Sequence, residues 1–371
     1  MIEIIGIRRC MEFVYRSTKE PALSSFRDSF RRLLPGLIVL IALLGLVFII
    51  IDWNQIHSAI AEASWKPVPY ALAATALSYL CISLSFARVS RLLGIKMKTS
   101  DLTLVGFLST VLNHVVSSGG AAGYSVRYAL MNRHGIGVRD VLAASFLHFY
   151  LTSLAMITML PVGLLYLVRH VALGRGTATL LAVLAGIVMF GALLATMLLF
   201  SVRLRQRFII TIVNLLRRIT DRDIETSLMR FDETLAEGVW AMRQQPASIL
   251  IIMTLVTVDW SASALALWLS FRSLGVTLQL GQVVTGFVIG IVAGVASMIP
   301  GGLGVQEGSM AGIFALLGVS FDRAVLASIF FRVLYFFIPY LISLTLYRGL
   351  LRGRPEQNDG SLEVEHAHPD A

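Results

Sequence analysis

Charge is scarce in this sequence. Asp, Glu, Lys and Arg make up 14% of the 371 residues, hydrophobic residues make up 56%, and the mean hydropathy is +0.78. A water-soluble domain of this size needs a larger ionic shell, so the scarcity excludes one and leaves a polytopic membrane protein. Cysteine is scarcer still. Cys10 and Cys81 stand far apart, with no disulfide framework and no metal-ligand spacing. His114 and His148 have no Cys or carboxylate at ligand spacing, so they read as hydrogen-bonded core histidines, and no metal is expected. A nucleophile–base arrangement, a Walker loop and a dinucleotide fingerprint are also missing, because the glycine clusters lack the strand-then-helix setting that phosphate loops need. Neither an enzyme nor a cofactor is expected. No signal peptide is expected either, since the first apolar run starts only near Leu33 and lacks a small-residue cleavage site.

Basic residues are in excess, with a formal net charge of +9. They lie mostly between apolar runs, as the positive-inside rule and anionic cytoplasmic leaflets require, so nucleic acid is not the implied partner. Residues 1–33 form a basic, amphipathic cytoplasmic leader with Arg8, Arg9, Arg16, Lys19, Arg27, Arg31 and Arg32. A single transmembrane domain, 34–351, follows. Its predicted spans are Leu34–Ile51, Pro67–Ala87, Val138–Val168, Thr177–Phe200, Ala247–Ser270 and Val325–Leu346. Trp53 and Trp65 suit an interfacial belt. Within the polar segment 203–245, Ile224, Leu228, Phe231, Leu235, Val239 and Met242 recur every three or four residues, which predicts an amphipathic helix on the bundle or the interface. The tail, 352–371, is polar and predicted to be disordered and cytoplasmic.

Two stretches interrupt this pattern. Ser117-Ser118-Gly119-Gly120 breaks an apolar run from Asp101 and leads into a short helix, Tyr124–Asn132, that carries Arg127. Pro300-Gly301-Gly302-Leu303-Gly304 breaks the run from Leu280, and Glu307 follows within hydrocarbon depth. Freed backbone groups at such breaks need protein or a water-filled cavity, and an ionisable residue there is a functional-site hypothesis by default. If 101–132 crossed the membrane once, the segment 203–245, with its eight Arg, would lie outside, against the Lys/Arg bias. If it turns at Gly119-Gly120 and comes back, the basic loops and both termini are cytoplasmic, and the second broken segment enters from the opposite face. The expected architecture is therefore all-α, with six full spans and two oppositely oriented re-entrant hairpins. Each hairpin precedes a helix opening on Val-Leu-Ala, at Val141 and at Val325, as an inverted repeat would. In transporters such a repeat puts the binding site near the midplane, between discontinuous helices.

The motifs Ser-Gly-Gly-x-x-Gly-Tyr-x-x-Arg at 118–127 and Pro-Gly-Gly-Leu-Gly-x-x-Glu at 300–307 resemble the paired signatures of the lysylphosphatidylglycerol synthase transmembrane-region family. Arg-x-Leu-Tyr-x-x-x-Pro at 332–339 fits its closing helix, and the resemblance runs over roughly 35–350. Relatives include the flippase halves of the multiple peptide resistance factor proteins, which move aminoacylated phosphatidylglycerol to the outer leaflet. Those proteins continue into a soluble aminoacyltransferase domain and this sequence stops at Ala371, so the resemblance implies translocation without synthesis. It also implies a bacterial cytoplasmic (inner) membrane, and a charged phospholipid, anionic or aminoacylated, or a lipid-linked head group as substrate.

Arg127, left unpaired in lipid, would cost about 2.5–3.5 kcal/mol on insertion scales, and its guanidinium suits bidentate phosphate binding. Glu307 is placed to pair with Arg127 or Arg332, or to bind an aminoacyl ammonium. Arg332 lies too deep in the last span to snorkel easily and would complete a charge-balanced triad. Asp259, mid-span beside Trp260, reads as the partner of an Arg rather than a proton relay. Tyr124 and Tyr128 are positioned to hydrogen-bond a head group. A cavity lined by Arg127, Arg332 and Glu307 would replace the hydration of a crossing head group with fixed charges, and rocking of one repeat against the other would open it to each leaflet in turn. The alternative is a non-transporting adaptor that presents a lipid-linked intermediate to a glycosyl- or aminoacyltransferase, docked on 203–245. A lipid-modifying enzyme is then its partner, and an oligomer is left open in either reading.

Overall fold

The computed structural model describes residues 61–116, 121–171, 174–217, 225–297 and 299–352. The basic leader, the expected span Leu34–Ile51, Gly119, Gly120 and the tail beyond Arg352 lie outside the described residues. Among the described residues all regular structure is helical. The chain runs through α1 (Val68–Leu92), α2 (Thr99–Val116), α3 (Ala121–Asn132), α4 (Val138–His170), α5 (Arg175–Phe200), α6 (Val202–Arg217), α7 (Glu225–Gln244), α8 (Pro246–Ser273), α9 (Leu280–Ala296), α10 (Val305–Leu316), α11 (Phe321–Arg332) and α12 (Ile338–Arg352). A wide π turn, Val333–Phe337, joins α11 to α12.

Among the described residues, five stretches are long and apolar enough to cross a membrane: Val68–Leu92, Val138–His170, Ala178–Phe200, Pro246–Ser273 and Phe321–Leu346. They are the five expected spans that fall within the described residues. The boundary set at Ala87 is too early, because α1 continues through Arg88 to Leu92 with Arg91 in its last turn. A cation there faces the negative end of the helix dipole, so charge does not end the helix. The amphipathic helix expected from Leu228 to Met242 is α7, and a second helix, α6, precedes it in the polar segment; Ile224 lies outside the described residues. Leu235, Val239 and Met242 of α7 are buried against Leu147, Leu151, Ile252 and Val256, while Arg205 of α6 pairs with Asp232. Arg205 and Arg243 donate to the carbonyls of Leu199 and Phe200 at 2.8 and 2.9 Å, so two cations cap the C-terminus of α5.

Helices α1 and α8 form the antiparallel centre. Ser64 N–H donates to the Ser273 carbonyl at 2.8 Å near one end, and Ser78 meets Asp259 and Ser263 near the middle. Small residues recur on the buried side of α1: Ala71, Ala74, Thr75, Ser78 and Ser85 let backbones approach, and Thr75 returns its hydroxyl proton to the Ala71 carbonyl.

Two helical hairpins pack on this centre. In the first, Gly123 N–H donates to Asn113 Oδ1 at 2.8 Å and Arg127 Nε donates to Ser109 Oγ at 2.9 Å, so α2 and α3 run antiparallel. In the second, Gly294, Gly290 and Gly286 of α9 receive Gln306, Met310 and Phe314 of α10. Glycines four apart on one helix therefore form a groove for side chains four apart on its partner. The first hairpin opens toward the end of the bundle that holds α6 and α7, where Leu93 lies against Gly238. The second opens toward the other end, where Gln282 Nε2 donates to the Leu317 carbonyl and Trp268 Nε1 to the Leu278 carbonyl, each at 3.0 Å. Their tips meet: a Cβ on Gly301 would lie 3.4 Å from the His114 carbonyl oxygen and 3.5 Å from that of Val115.

The glycine groove is testable. A Cβ at Gly286 would lie 2.3 Å from Phe314 Cζ and one at Gly290 would lie 2.2 Å from Met310 Cγ, whereas Gly308 and Gly312 of α10 face open space. Gly286→Val and Gly290→Val are expected to destabilise the detergent-solubilised protein by about 1–3 kcal/mol through overpacking. Gly308→Ala and Gly312→Ala should leave its melting temperature unchanged or higher.

Candidate functional site

The tip of the second hairpin is held by one side chain. Arg332, at the end of α11, donates from Nη1 to the Gly301 carbonyl at 2.7 Å and from Nη2 to Gln306 Oε1 at 2.8 Å, and its Nε forms an ion pair with Glu307. Its guanidinium also lies over the Phe336 ring, 4.9 Å from the centroid. Both charges are closed off, Glu307 and Arg332 each being 2% exposed. The local sequence explains the arrangement. Gly301, Gly302 and Gly304 adopt φ of 65°, 62° and 78°, a region other residues rarely enter, and this turns the chain sharply enough to present the Gly301 carbonyl to Arg332. Glu307 is the third residue of α10 and accepts the Gly304 N–H at 2.8 Å, so the carboxylate that pairs Arg332 also caps the helix.

The first hairpin carries its own charge. Arg127 of α3 is 6% exposed and lies over the Phe86 ring, 4.1 Å from the centroid. Its Nε reaches Ser109, and its Nη2 is 3.4 Å from His148 Nδ1 of α4. Ser85 gives its hydroxyl proton to the Ile82 carbonyl, so His148 donates from Nε2 to Ser85 at 2.8 Å and keeps Nδ1 to accept from Arg127. Among the described residues no carboxylate pairs with Arg127. The two halves match in placement. Arg127 meets His148, seven residues after Val141, and Glu307 meets Arg332, seven residues after Val325.

Between the halves lies a third polar group. Ser78 of α1 donates to Asp259 Oδ1 of α8 at 2.5 Å, and Tyr335 Oη lies 2.6 Å from Ser78 Oγ and 2.7 Å from Ser263 Oγ. Tyr79 donates to the Tyr335 carbonyl at 3.0 Å and lies 2.7 Å from His114 Nδ1 at the first hairpin's tip.

The sequence-derived residues are thus divided. Glu307 and Arg332 come together; Arg127 does not join them in an ion pair, so the expected charge-balanced triad is not formed here. Asp259, expected beside an Arg, faces hydroxyls among the described residues, because the small residues of α1 bring Ser78 against it. Tyr124 stacks with Tyr128 of the same helix at 6.5 Å between centroids, and both pack against the buried cluster of Phe86, Leu102 and Leu130. His114 and His148 are hydrogen-bonded, as read from the sequence. Gln306, Tyr79, Ser78 and Ser263 are not singled out by the sequence, and Tyr335 enters there only as the Tyr of the Arg-x-Leu-Tyr motif. Tyr335 had a signal, since it follows Arg332 by three residues and so shares its helix face; Ser78 was hidden among the many small residues of α1.

Removing one partner of a buried ion pair strands the other charge. Arg332→Met is expected to cost about 3–5 kcal/mol of stability, while the double substitution Glu307→Gln/Arg332→Met recovers most of it. Denaturation of the four proteins in detergent measures the coupling; strictly additive losses would show that the pair contributes nothing as a pair.

Comparison with known proteins places these features. The family described as lysylphosphatidylglycerol synthase TM region matches residues 33–343. A UPF0104 membrane protein of Methanothermobacter thermautotrophicus is 30% identical over 153 residues, which cover 38% of this chain and 46% of that protein. The phosphatidylglycerol lysyltransferase of Staphylococcus haemolyticus is 32% identical over 97 residues, 26% of this chain and 12% of that protein, and that of Staphylococcus aureus is 32% identical over 94 residues. The chain therefore spans less than half the length of these curated relatives. The match across most of the sequence, with the glycine breaks, Glu307 and Arg332 inside it, shows that this multi-pass membrane protein belongs to the lysylphosphatidylglycerol synthase transmembrane-region family.

Proposed function

We propose that this protein is a lipid translocase: it moves a phospholipid with a charged head group between leaflets, and the meeting point of the two hairpins is its site. The observation that carries this reading is the tip contact itself. Two broken-helix hairpins open to opposite ends of the bundle, and buried charge sits where they meet. Helix breaks at membrane depth are tolerated where backbone is buried in protein or lines a cavity, and paired half-helices from inverted repeats are the arrangement that binds substrate in transporters. The hairpins are then re-entrant, α1–α4 and α8–α12 are the two repeats, and the end of the bundle that holds α6 and α7 is cytoplasmic by its Lys and Arg. With the expected span Leu34–Ile51 the count is six, both termini are cytoplasmic, and the membrane is the bacterial inner membrane.

A phosphate reaching the tips would compete with Glu307 for the planar fork of Arg332, and N–H groups at the start of α10 would add to its binding. Glu307, once released, is free for the ammonium of an aminoacylated head group. Arg127, without a carboxylate of its own, is the second cation that a phosphate would find. Because the Glu307–Arg332 pair is closed to solvent, access requires the hairpins to part, first toward one leaflet and then toward the other. The staphylococcal relatives' name points to phosphatidylglycerol or its lysyl ester as the substrate. On this reading the chain breaks and makes no covalent bond.

The test is leaflet exchange of head-group-labelled phosphatidylglycerol, its lysyl ester and a polyprenyl phosphate in liposomes containing the purified protein. Expected is faster exchange of one of these lipids than in empty liposomes, falling at least about tenfold in Arg127→Ala and Glu307→Gln. An effect of that size corresponds to about 1.4 kcal/mol of lost interaction. Arg127→Lys should not restore exchange, since an ammonium lacks the planar fork. Exchange no faster than in empty liposomes, with folded protein, would sink this reading and favour an adaptor docked through α6 and α7.

A further inference from the structure

Asp259 is the buried charge that the ion pair at the hairpin tips leaves unexplained. It occupies the midpoint of α8 and is 5% exposed. Among the described residues no cation pairs with it. A lone carboxylate in such a place carries an uncompensated desolvation cost. Its surroundings reduce that cost only in part. Three hydroxyls gather there, but Ser263 gives its proton to Asp259's own backbone carbonyl at 2.8 Å, and Tyr335 lies against Ser78 and Ser263. Only Ser78 reaches the carboxylate itself. A carboxylate has lone pairs for about four donors, and Ser78 supplies one of them.

The geometry favours a proton over a metal ion. Ser78 links the cluster: its hydroxyl lies 2.5 Å from Asp259 Oδ1, 2.6 Å from Tyr335 Oη and 3.1 Å from Ser263 Oγ, and Tyr335 lies 2.7 Å from Ser263, so hydroxyl groups rather than further carboxylates or imidazoles surround the acid. Among the described residues no three His, Cys or acidic side chains converge on a metal position. The other titratable groups nearby are Tyr79 and Cys81 on α1 and Tyr335 in the π turn, with His114 of α2 and Arg332 of α11 one step further out.

The cluster is also connected to the hairpins. Tyr335 belongs to the π turn directly after Arg332, and π turns inside helices recur at functional sites. Its hydroxyl touches the Asp259 cluster, its carbonyl accepts from Tyr79, and Tyr79 bonds His114 at the tip of the first hairpin. A change in what the Tyr335 hydroxyl bonds therefore acts three residues from the arginine that holds the second tip.

We propose that Asp259, with Ser78, Ser263 and Tyr335, is a proton-binding site through which a transmembrane proton gradient drives lipid movement at the hairpin contact. The proposal rests on the translocase reading above. Protonation adds one proton to the carboxylate and releases none elsewhere. The neutral carboxyl then donates a hydrogen bond that the ionised form cannot make, which rearranges the hydroxyls around Tyr335.

Two measurements test it separately. Infrared difference spectra of the protein in lipid, taken across a pH series, should show a protonated-carboxyl band that grows as pH falls and is missing in Asp259→Asn. A band that is constant over the series, or never present, overturns the proton site whatever the transport activity. The second measurement uses liposomes with a pH gradient of either polarity and the membrane potential clamped. The wild type should drive the transported lipid to an uneven leaflet distribution that reverses with polarity, up to a ceiling of about tenfold per pH unit for one proton per lipid. Asp259→Asn should lose this asymmetry, and Glu62→Gln, at an exposed ion pair with Arg323, should keep it. Exchange by the wild type that stays even under both polarities overturns coupling and leaves the translocase reading intact. No exchange at all overturns the translocase reading, while the infrared series still decides the site.

Discussion

A guanidinium inside an apolar bundle must be satisfied completely, and Arg332 shows how much structure that demands. It takes a backbone carbonyl from a left-handed glycine, an amide oxygen from Gln306, a carboxylate from Glu307 and the face of Phe336. Each partner comes from the turn between α9 and α10, from the first turn of α10, or from the π turn that follows α11. The tip of the second hairpin therefore has its shape because Arg332 needs it, and the first hairpin's tip rests on that shape through His114 and Val115. A single buried charge thus shapes the second tip and the surface on which the end of α2 rests.

Close approach is the second constraint. Lipid gives helices no hydrophobic reason to associate, so packing and internal hydrogen bonds must do it. The glycine groove of α9 admits Gln306, Met310 and Phe314, and Thr285 Oγ1 donates to the Gly163 carbonyl of α4 at 3.0 Å. The small face of α1 likewise brings Ser78 to Asp259. Polar groups meet here because nothing large stands between the helices that carry them.

Much of the fold could be read from the residues. Apolar runs located the helices, glycine and proline located the breaks, and the pairing of Glu307 with Arg332 was among those considered, since both were charges stranded at depth. What the residues did not reveal was how charges divide between the halves. Arg127 and Arg332 are equally plausible partners for Glu307 on chemical grounds, and only the antiparallel register of each hairpin assigns one to Glu307 and the other to His148. Asp259 was misread for a related reason. A carboxylate in a span suggests an arginine, but a serine on a small-residue face approaches more closely than a long side chain could. Helix ends were shifted where basic side chains, here Arg88 and Arg91, continue a helix instead of ending it.

In the proposed mechanism the closed ion pair is one state of a gate, so the direct measurement is whether the tips separate. Spin labels at Val115→Cys and Ile299→Cys, in a protein with Cys10 and Cys81 replaced, would report the distance between the tips by electron paramagnetic resonance in lipid nanodiscs. Expected are two separations, a short one matching the closed contact and a longer one whose share grows when the transported lipid is supplied. A single short separation with every lipid and at every pH, in protein that still exchanges lipid, would contradict passage between the hairpins.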